Sequence, residues 1–324
     1  MTIFKLIKDK LPYLIMGAIG LGLVNGYFNE VGYYKQFLTP VIFLMIYPMM
    51  INLKVTDVLS GFSTPRPLLY SVAINFIFSP LLAYVLSRLF FADYPTLTMG
   101  LMLIALVPTS GMTASWTGLA NGNMKTALLI ISVNLLLAIV MIPLYLKLLL
   151  GRVIPLDTML VIKSLVQVVV VPLILGDLTR RLLTKKYGMK GFKAMKPQFA
   201  GISSTGVILI VFIATSLKSR TILGDGQMVL NVLVPLAIYY ALILLASNLL
   251  GQKYLDYGDR VALIYGTTMR NLTIAMALTI SSLEAGLAVF LIAVGYLLQV
   301  PFAALYMRYL NWRGSDALNV EHIS

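Results

Sequence analysis

Eight stretches of this chain carry no charged residue: 11–29, 36–53, 67–87, 94–124, 126–146, 197–217, 226–252 and 285–307. Most exceed the ~20 residues that an α-helix needs to cross the hydrocarbon core of a bilayer. Hydrophobic residues make up 59% of the sequence and charged residues 11%, against about half and about a quarter in a soluble domain. A mean hydropathy of +0.90 points the same way. The expected class is an all-α polytopic membrane protein, a single transport unit over residues 1–324.

The N-terminus does not read as a cleavable signal peptide. Lys5, Lys8 and Lys10 resemble a basic leader, but the apolar run after them continues to Phe28 with no small-x-small cleavage site. Ten spans are expected, near 12–28, 36–53, 67–91, 97–120, 125–149, 158–182, 199–217, 228–250, 260–282 and 286–308. Pro12, Pro67, Pro95, Pro155 and Pro197 punctuate their starts and connections. Ten crossings put both termini on one side. With a cytoplasmic N-terminus, seventeen of the 25 Lys and Arg residues fall inside and six outside. Lys163 and Arg270 lie within spans. That asymmetry places both termini in the cytoplasm, in an inner or plasma membrane. The net charge of +13 is therefore a topology signal meeting anionic lipid, chiefly through the run Arg180–Lys196, and not a nucleic-acid patch.

This basic run separates two groups of five spans, residues 1–150 and 151–324. Five is odd, so a duplicated half would insert upside down. Inverted repeats of this kind recur in secondary transporters.

The fourth span contains Pro108, Thr109, Ser110, Gly111, Met112 and Thr113, and the ninth contains Gly266, Thr267, Thr268, Met269, Arg270 and Asn271. Aligning Pro108 with Gly266 gives each a helix breaker followed by small hydroxyl residues. Proline removes a backbone donor and clashes with the carbonyl four residues back. Glycine tolerates irregular dihedrals. Unwound backbone survives in a bilayer only where protein, water or ligand supplies partners. Matching interruptions in the two halves mark a midplane binding site. A guanidinium is costly at that depth and calls for a partner, a wet cavity or an anion. The positive ends of the restarting helices favour the same charge.

At these residues the chain resembles the bile acid:sodium symporter superfamily, in particular its arsenite permease branch. Met45-Ile46-Tyr47-Pro48 resembles the Met-Met-Tyr-Pro of those permeases. Pro108 to Met112, followed by Trp116 and Gly122, resembles their Pro-Cys-Thr-Ala-Met…Trp…Gly pattern. Asn134 matches an Asn of their fifth span, and Val294 to Pro301, with Gln299, resembles Val-Gly-Pro-Leu-Val-Glu-Val-Pro. The stretch from Met269 to Ala275 resembles the ninth-span motifs of both branches. The resemblance implies ten helices in an inverted five-plus-five repeat, core and panel domains, and two crossing discontinuous helices. It also places Asn134 and Gln299 on the core domain.

The departures bear on mechanism. The permease cysteine position is Thr109 and the ninth-span Glu aligns with Asn271. A soft thiolate ligand is therefore absent. In sodium-coupled members a Glu and a Gln bind the cation, and those positions are Gly266 and Arg270. A guanidinium has five donors and no acceptor, whereas sodium wants oxygens. Arg270 is expected to replace that sodium as a fixed charge.

The resulting expectation is a carrier for a small anion, a carboxylate or an oxyanion. Arg270, Asn271, Thr109, Ser110, Thr113, Thr267, Thr268 and Asn134 would bind it, and Pro108, Gly111 and Gly266 would break the helices. Gln299 and Lys163 are coupling candidates. Lys163 reads first as snorkelling to an interface, with proton coupling as the alternative, and the coupling ion stays open. Asn75, Gln167 and Asn248 read as contacts between helices. Arsenite or antimonite efflux without the cysteine is the second reading. No metal or cofactor is expected: the chain has no cysteine, its one histidine is His322 in the tail, and it has no phosphate-binding Gly-x-x-x-x-Gly-Lys loop. An enzyme would need a cluster of carboxylates, histidines or cysteines around a cavity, and the spans carry almost none.

Overall fold

In the computed structural model, residues 7, 10–52, 65–150, 158–224, 226–282 and 286–321 are described. Lys5, Lys8, Lys54, Arg152, Pro155 and His322 lie outside them. Every regular element among the described residues is helical. Helices α1 (Leu11–Phe28) and α2 (Leu38–Ile51) come first, with a 3-10 turn between them. Next, α3 (Pro65–Ala73) runs through a π-helical turn, Ile74–Phe78, into α4 (Ser79–Phe90). Then follow α5 (Pro95–Leu106), α6 (Met112–Leu119) and α7 (Met124–Tyr145). The second half contains α8 (Thr158–Leu165), α9 (Val171–Leu217), α10 (Ser219–Gly224) and α11 (Met228–Tyr254). It ends with α12 (Tyr257–Thr268), α13 (Leu272–Ser282) and α14 (Leu287–Glu321).

Among the described residues, seven helices are long and apolar enough to cross a membrane. Three differences separate seven from the expected ten. The fourth and ninth spans are each split into two short helices, so neither is a single long one. The stretch Ile162–Leu217 counts as one span of 56 residues, although two were expected there. Its contacts require it to fold back. A Cβ added at Gly176 would lie 2.7 Å from the Met50 backbone, and one at Gly206 would lie 2.7 Å from Met45. In a straight helix, Gly176 and Gly206 would be about 45 Å apart, yet both touch α2 within about 8 Å of its length. The fold-back occurs at Gly188, whose φ of 69° and ψ of 171° belong to a region open essentially to glycine alone.

Helices at the periphery are apolar on the outside. Met16, Leu21, Val24 and Phe28 of α1 are exposed, as are Leu69, Leu81 and Leu89 on α3 and α4. Continuous exposed apolar surface on this scale suits lipid, not water. The broken pair α12–α13 is the opposite case. Every residue from Val261 to Thr279 is buried. The irregular backbone between the two helices is therefore sheathed in protein, one of the environments in a membrane that tolerate it.

Candidate functional site

The two interruptions meet. Thr109 and Arg270 form an isolated antiparallel bridge. It is closed by the Ser110 N–H donating to the Met269 carbonyl (2.7 Å) and the Asn271 N–H donating to the Pro108 carbonyl (2.9 Å). These bonds flank the bridge, so Thr109 and Arg270 are its non-hydrogen-bonded pair. In such a pair the side chains leave the same face and stand close together. The free edge of Arg270 is covered by Gln299. Its Oε1 accepts from the Arg270 N–H (2.8 Å), and its Nε2 donates to the Arg270 carbonyl (3.2 Å). The Gln299 carboxamide thus acts as a one-residue third strand.

The structure corrects one expectation. Gly266 does not break the ninth span: it lies inside α12, and the interruption is Met269–Asn271. What Gly266 provides is proximity, because a Cβ there would lie 2.7 Å from Ile130 Cγ2 on α7. The fourth span does break at its proline, between Leu106 and Met112, with Gly111 directly before α6. Asn271 and Ser110 restart the helices. Asn271 Oδ1 accepts from the Ile274 N–H (3.3 Å), and Ser110 Oγ accepts from the Met112 N–H (3.2 Å), so both act as N-terminal caps.

The other hydroxyls chiefly serve the carbonyl end of α12. Thr109 donates to the Gly266 carbonyl (2.6 Å) and Thr113 to the Tyr265 carbonyl (3.0 Å). Asn134 Nδ2 donates to Thr109 Oγ1 (2.9 Å) and to Ser71 Oγ (3.2 Å). Thr267 turns elsewhere, bonding back along its own helix and sharing a 2.6 Å bond with Ser247 of α11. Thr268 Oγ1 is buried with no partner among the described residues. Lys163 is exposed on α8.

Arg270 itself is 1% exposed. Its Nη1 reaches the Val107 carbonyl at 3.5 Å, at the C-terminal end of α5, while Nε and Nη2 have no partner among the described residues. Among the described residues no carboxylate pairs with it; Asp177 pairs instead with Arg180 and Arg181. An unneutralised guanidinium is thus fixed where two helices restart with their positive ends nearby. A gap next to the break of the fourth span, lined by Pro108, Leu135, Ala138, Ile142, Leu165 and Ile274, is apolar and too narrow for water.

The sequence pattern of the sodium bile acid symporter family matches residues 39–225. The chain belongs to this family. It is 25% identical to the arsenical-resistance protein Acr3 of Alkaliphilus metalliredigens over 86% of this chain and 83% of the relative. It is 27% identical to the uncharacterised Bacillus subtilis protein YbaS over 93% and 96%. A rice chloroplast protein, BASS3, described as a probable sodium/metabolite cotransporter, is 27% identical over 44% of this chain and 33% of its own length. This family member is an integral membrane transporter.

One residue at the crossing escaped sequence reasoning. Asn75, read as a helix contact, donates to the Gly266 carbonyl (3.2 Å) and approaches Thr109 Oγ1 (3.5 Å). It lies in the π-helical turn Ile74–Phe78. Such turns recur at functional sites, but the sequence does not announce one. The available signal was an Asn with a Ser four residues on, in an otherwise apolar span.

Proposed function

We propose that this family member is a secondary carrier for a small anion, with the Arg270 guanidinium as its fixed counter-charge. The observation that carries the reading is the buried, unneutralised guanidinium with two unpartnered nitrogens. A buried charge without a partner is strongly unfavourable, and such a residue in a membrane protein ordinarily serves a ligand or ion. Asn134 and Thr268 border the cargo, while Thr109, Ser110, Asn271 and Gln299 hold the crossing in shape. On this reading the chain makes ten crossings as two inverted halves, 1–150 and 151–324. Its core and panel move against each other to expose the site alternately. Both termini are cytoplasmic, and the basic run of α9 lies against anionic lipid.

Arg270 also bears on coupling. A permanent cation at the crossing repels sodium, so transport is expected to proceed without a sodium gradient. The purified protein in liposomes, loaded with labelled lactate, acetate or bicarbonate, tests this. Equal rates in sodium and in choline buffers are the expected outcome, and strict sodium dependence rejects fixed-charge replacement.

A second reading follows from the Acr3 relative, whose name is that of an arsenical-resistance protein. Trivalent arsenic acid offers hydroxyls to the same groups without a thiolate. Expression in an arsenite-sensitive host separates the readings. Restored resistance favours metalloid efflux, and unchanged sensitivity with anion flux in liposomes favours the carrier above.

A further inference from the structure

Of the eleven buried side-chain atoms that lack a partner among the described residues, five gather at the crossing. Two are donors, Arg270 Nε and Nη2. Two are acceptors, Asn75 Oδ1 and Asn134 Oδ1, and the fifth is the hydroxyl of Thr268, which can act either way. Buried polar groups in folded proteins are overwhelmingly paired, so a cluster of both kinds needs an explanation.

The orientation of the two amides decides what they offer, and their hydrogen bonds fix it. The Gly266 carbonyl can only accept, so Asn75 must present its NH2 there. Thr109 spends its single proton on the same carbonyl at 2.6 Å. Its oxygen can therefore only accept from Asn134, whose NH2 must point to it. Both Oδ1 atoms are left as acceptors by necessity. Thr109 and Arg270 leave one face of the bridge, which sets the amides bonded to Thr109 on the same side of the crossing as the guanidinium. The guanidinium reaches Val107 and the amides reach Thr109, two residues further along the same extended segment, so a small molecule can bridge them.

We propose that the cargo is a small, singly charged oxyacid that keeps at least one O–H: its anionic oxygens lie on Arg270 and its hydroxyl donates to Asn75 or Asn134. This rests on the anion-carrier reading and narrows it. A bare carboxylate satisfies the guanidinium but leaves the amide oxygens unpaired. A neutral alcohol does the reverse. A 2-hydroxy acid and bicarbonate share the required chemistry from organic and inorganic sources.

Matched probes test it on the full-length protein in detergent, with thermal unfolding reporting binding. The pairs are lactate against propionate, and bicarbonate against its isostere nitrate, all as choline salts, with 1,2-propanediol as the uncharged control. An O–H that pairs a buried acceptor is worth about tenfold in affinity. Lactate is therefore expected to bind about tenfold tighter than propionate, or bicarbonate about tenfold tighter than nitrate, with propanediol not detected. The pair that discriminates names the source. Equal affinity within both pairs overturns the O–H requirement and leaves the anion reading standing. No stabilisation by any anion overturns both, and propanediol binding as well as lactate does so as well by removing the need for charge. Asn134→Leu sharpens the result: it is expected to shrink the ratio of lactate to propionate affinity towards one. If the variant keeps the full lactate preference, Asn134 is not the acceptor. If it does not fold, the wild-type comparison still decides the proposal.

Discussion

The carbonyl end of α12 is capped by neutral groups, whereas the carbonyl end of α5 meets a guanidinium. On α12, Thr109, Asn75 and Thr113 supply one polar group after another to the Gly266 and Tyr265 carbonyls. On α5, Ser79 donates to the Ala105 carbonyl (3.0 Å), and Arg270 reaches Val107 at the limit of hydrogen bonding. Both ends present the same difficulty, since the last turn of a helix leaves carbonyls without intrahelical partners. Hydroxyls meet it with no charge left over. The guanidinium brings five donors to one distant carbonyl and leaves two of its nitrogens unused. If capping were all that α5 required, a hydroxyl would serve better. On the proposed reading the excess charge serves the cargo, and the capping of α12 serves the fold.

Arg270→Gln puts that division under the greatest strain. Gln keeps a donor for Val107 and removes the buried charge. A hydrogen bond to a charged group is worth about 1.5–3 kcal/mol, so affinity for the stabilising anion should fall about 10- to 150-fold. Without ligand the variant should unfold at the same temperature as the wild type or higher, because an unpaired buried charge is a burden on the fold. Thermal unfolding with and without the anion measures both. A variant that is much less stable and still responds to anion would make Arg270 a cap, and the contrast between the two ends would vanish.

Thr109→Val probes the neutral end. It removes the shortest bond to the Gly266 carbonyl and the acceptor for the Asn134 NH2. Leaving buried groups unpaired costs about 1–3 kcal/mol, so the unfolding midpoint should drop, while Thr109→Ser stays near wild type. Here the loss should be present with and without anion. A loss confined to the liganded protein would move Thr109 into the functional half.

The sequence displayed these two ends unequally. Arg270, Thr109, Asn134 and Gln299 could be singled out because charge, hydroxyl and amide groups are rare among apolar residues. The break at Pro108 was legible because proline acts locally. The break at Met269–Asn271 was not, since none of these residues disrupts a helix. It persists because the Pro108 and Gln299 partners, far away in sequence, take the place of helical bonds. Asn75 was missed for a related reason, its aim being set by a π-helical turn. The fold-back within Ile162–Leu217 was anticipated from its basic run, although the helix continues in name through Gly188.

Gly266 offers the finest test, because it separates a hinge from a close contact. In Gly266→Ala the new methyl must displace Ile130 Cγ2 from 2.7 Å. Overpacking of this kind costs about 1–3 kcal/mol, and the better helix propensity of Ala offsets about 0.5–1 of it. The net loss should be about 1 kcal/mol. Combining it with Ile130→Ala makes room for the methyl, so the double variant should lose about 1 kcal/mol less than the two single losses together. That coupling is expected if Gly266 matters only as a place where α12 approaches α7. If Gly266 instead supplied backbone freedom to the break, the cost would persist in the double variant with no coupling, and the neutral end of the crossing would have to be reckoned mobile.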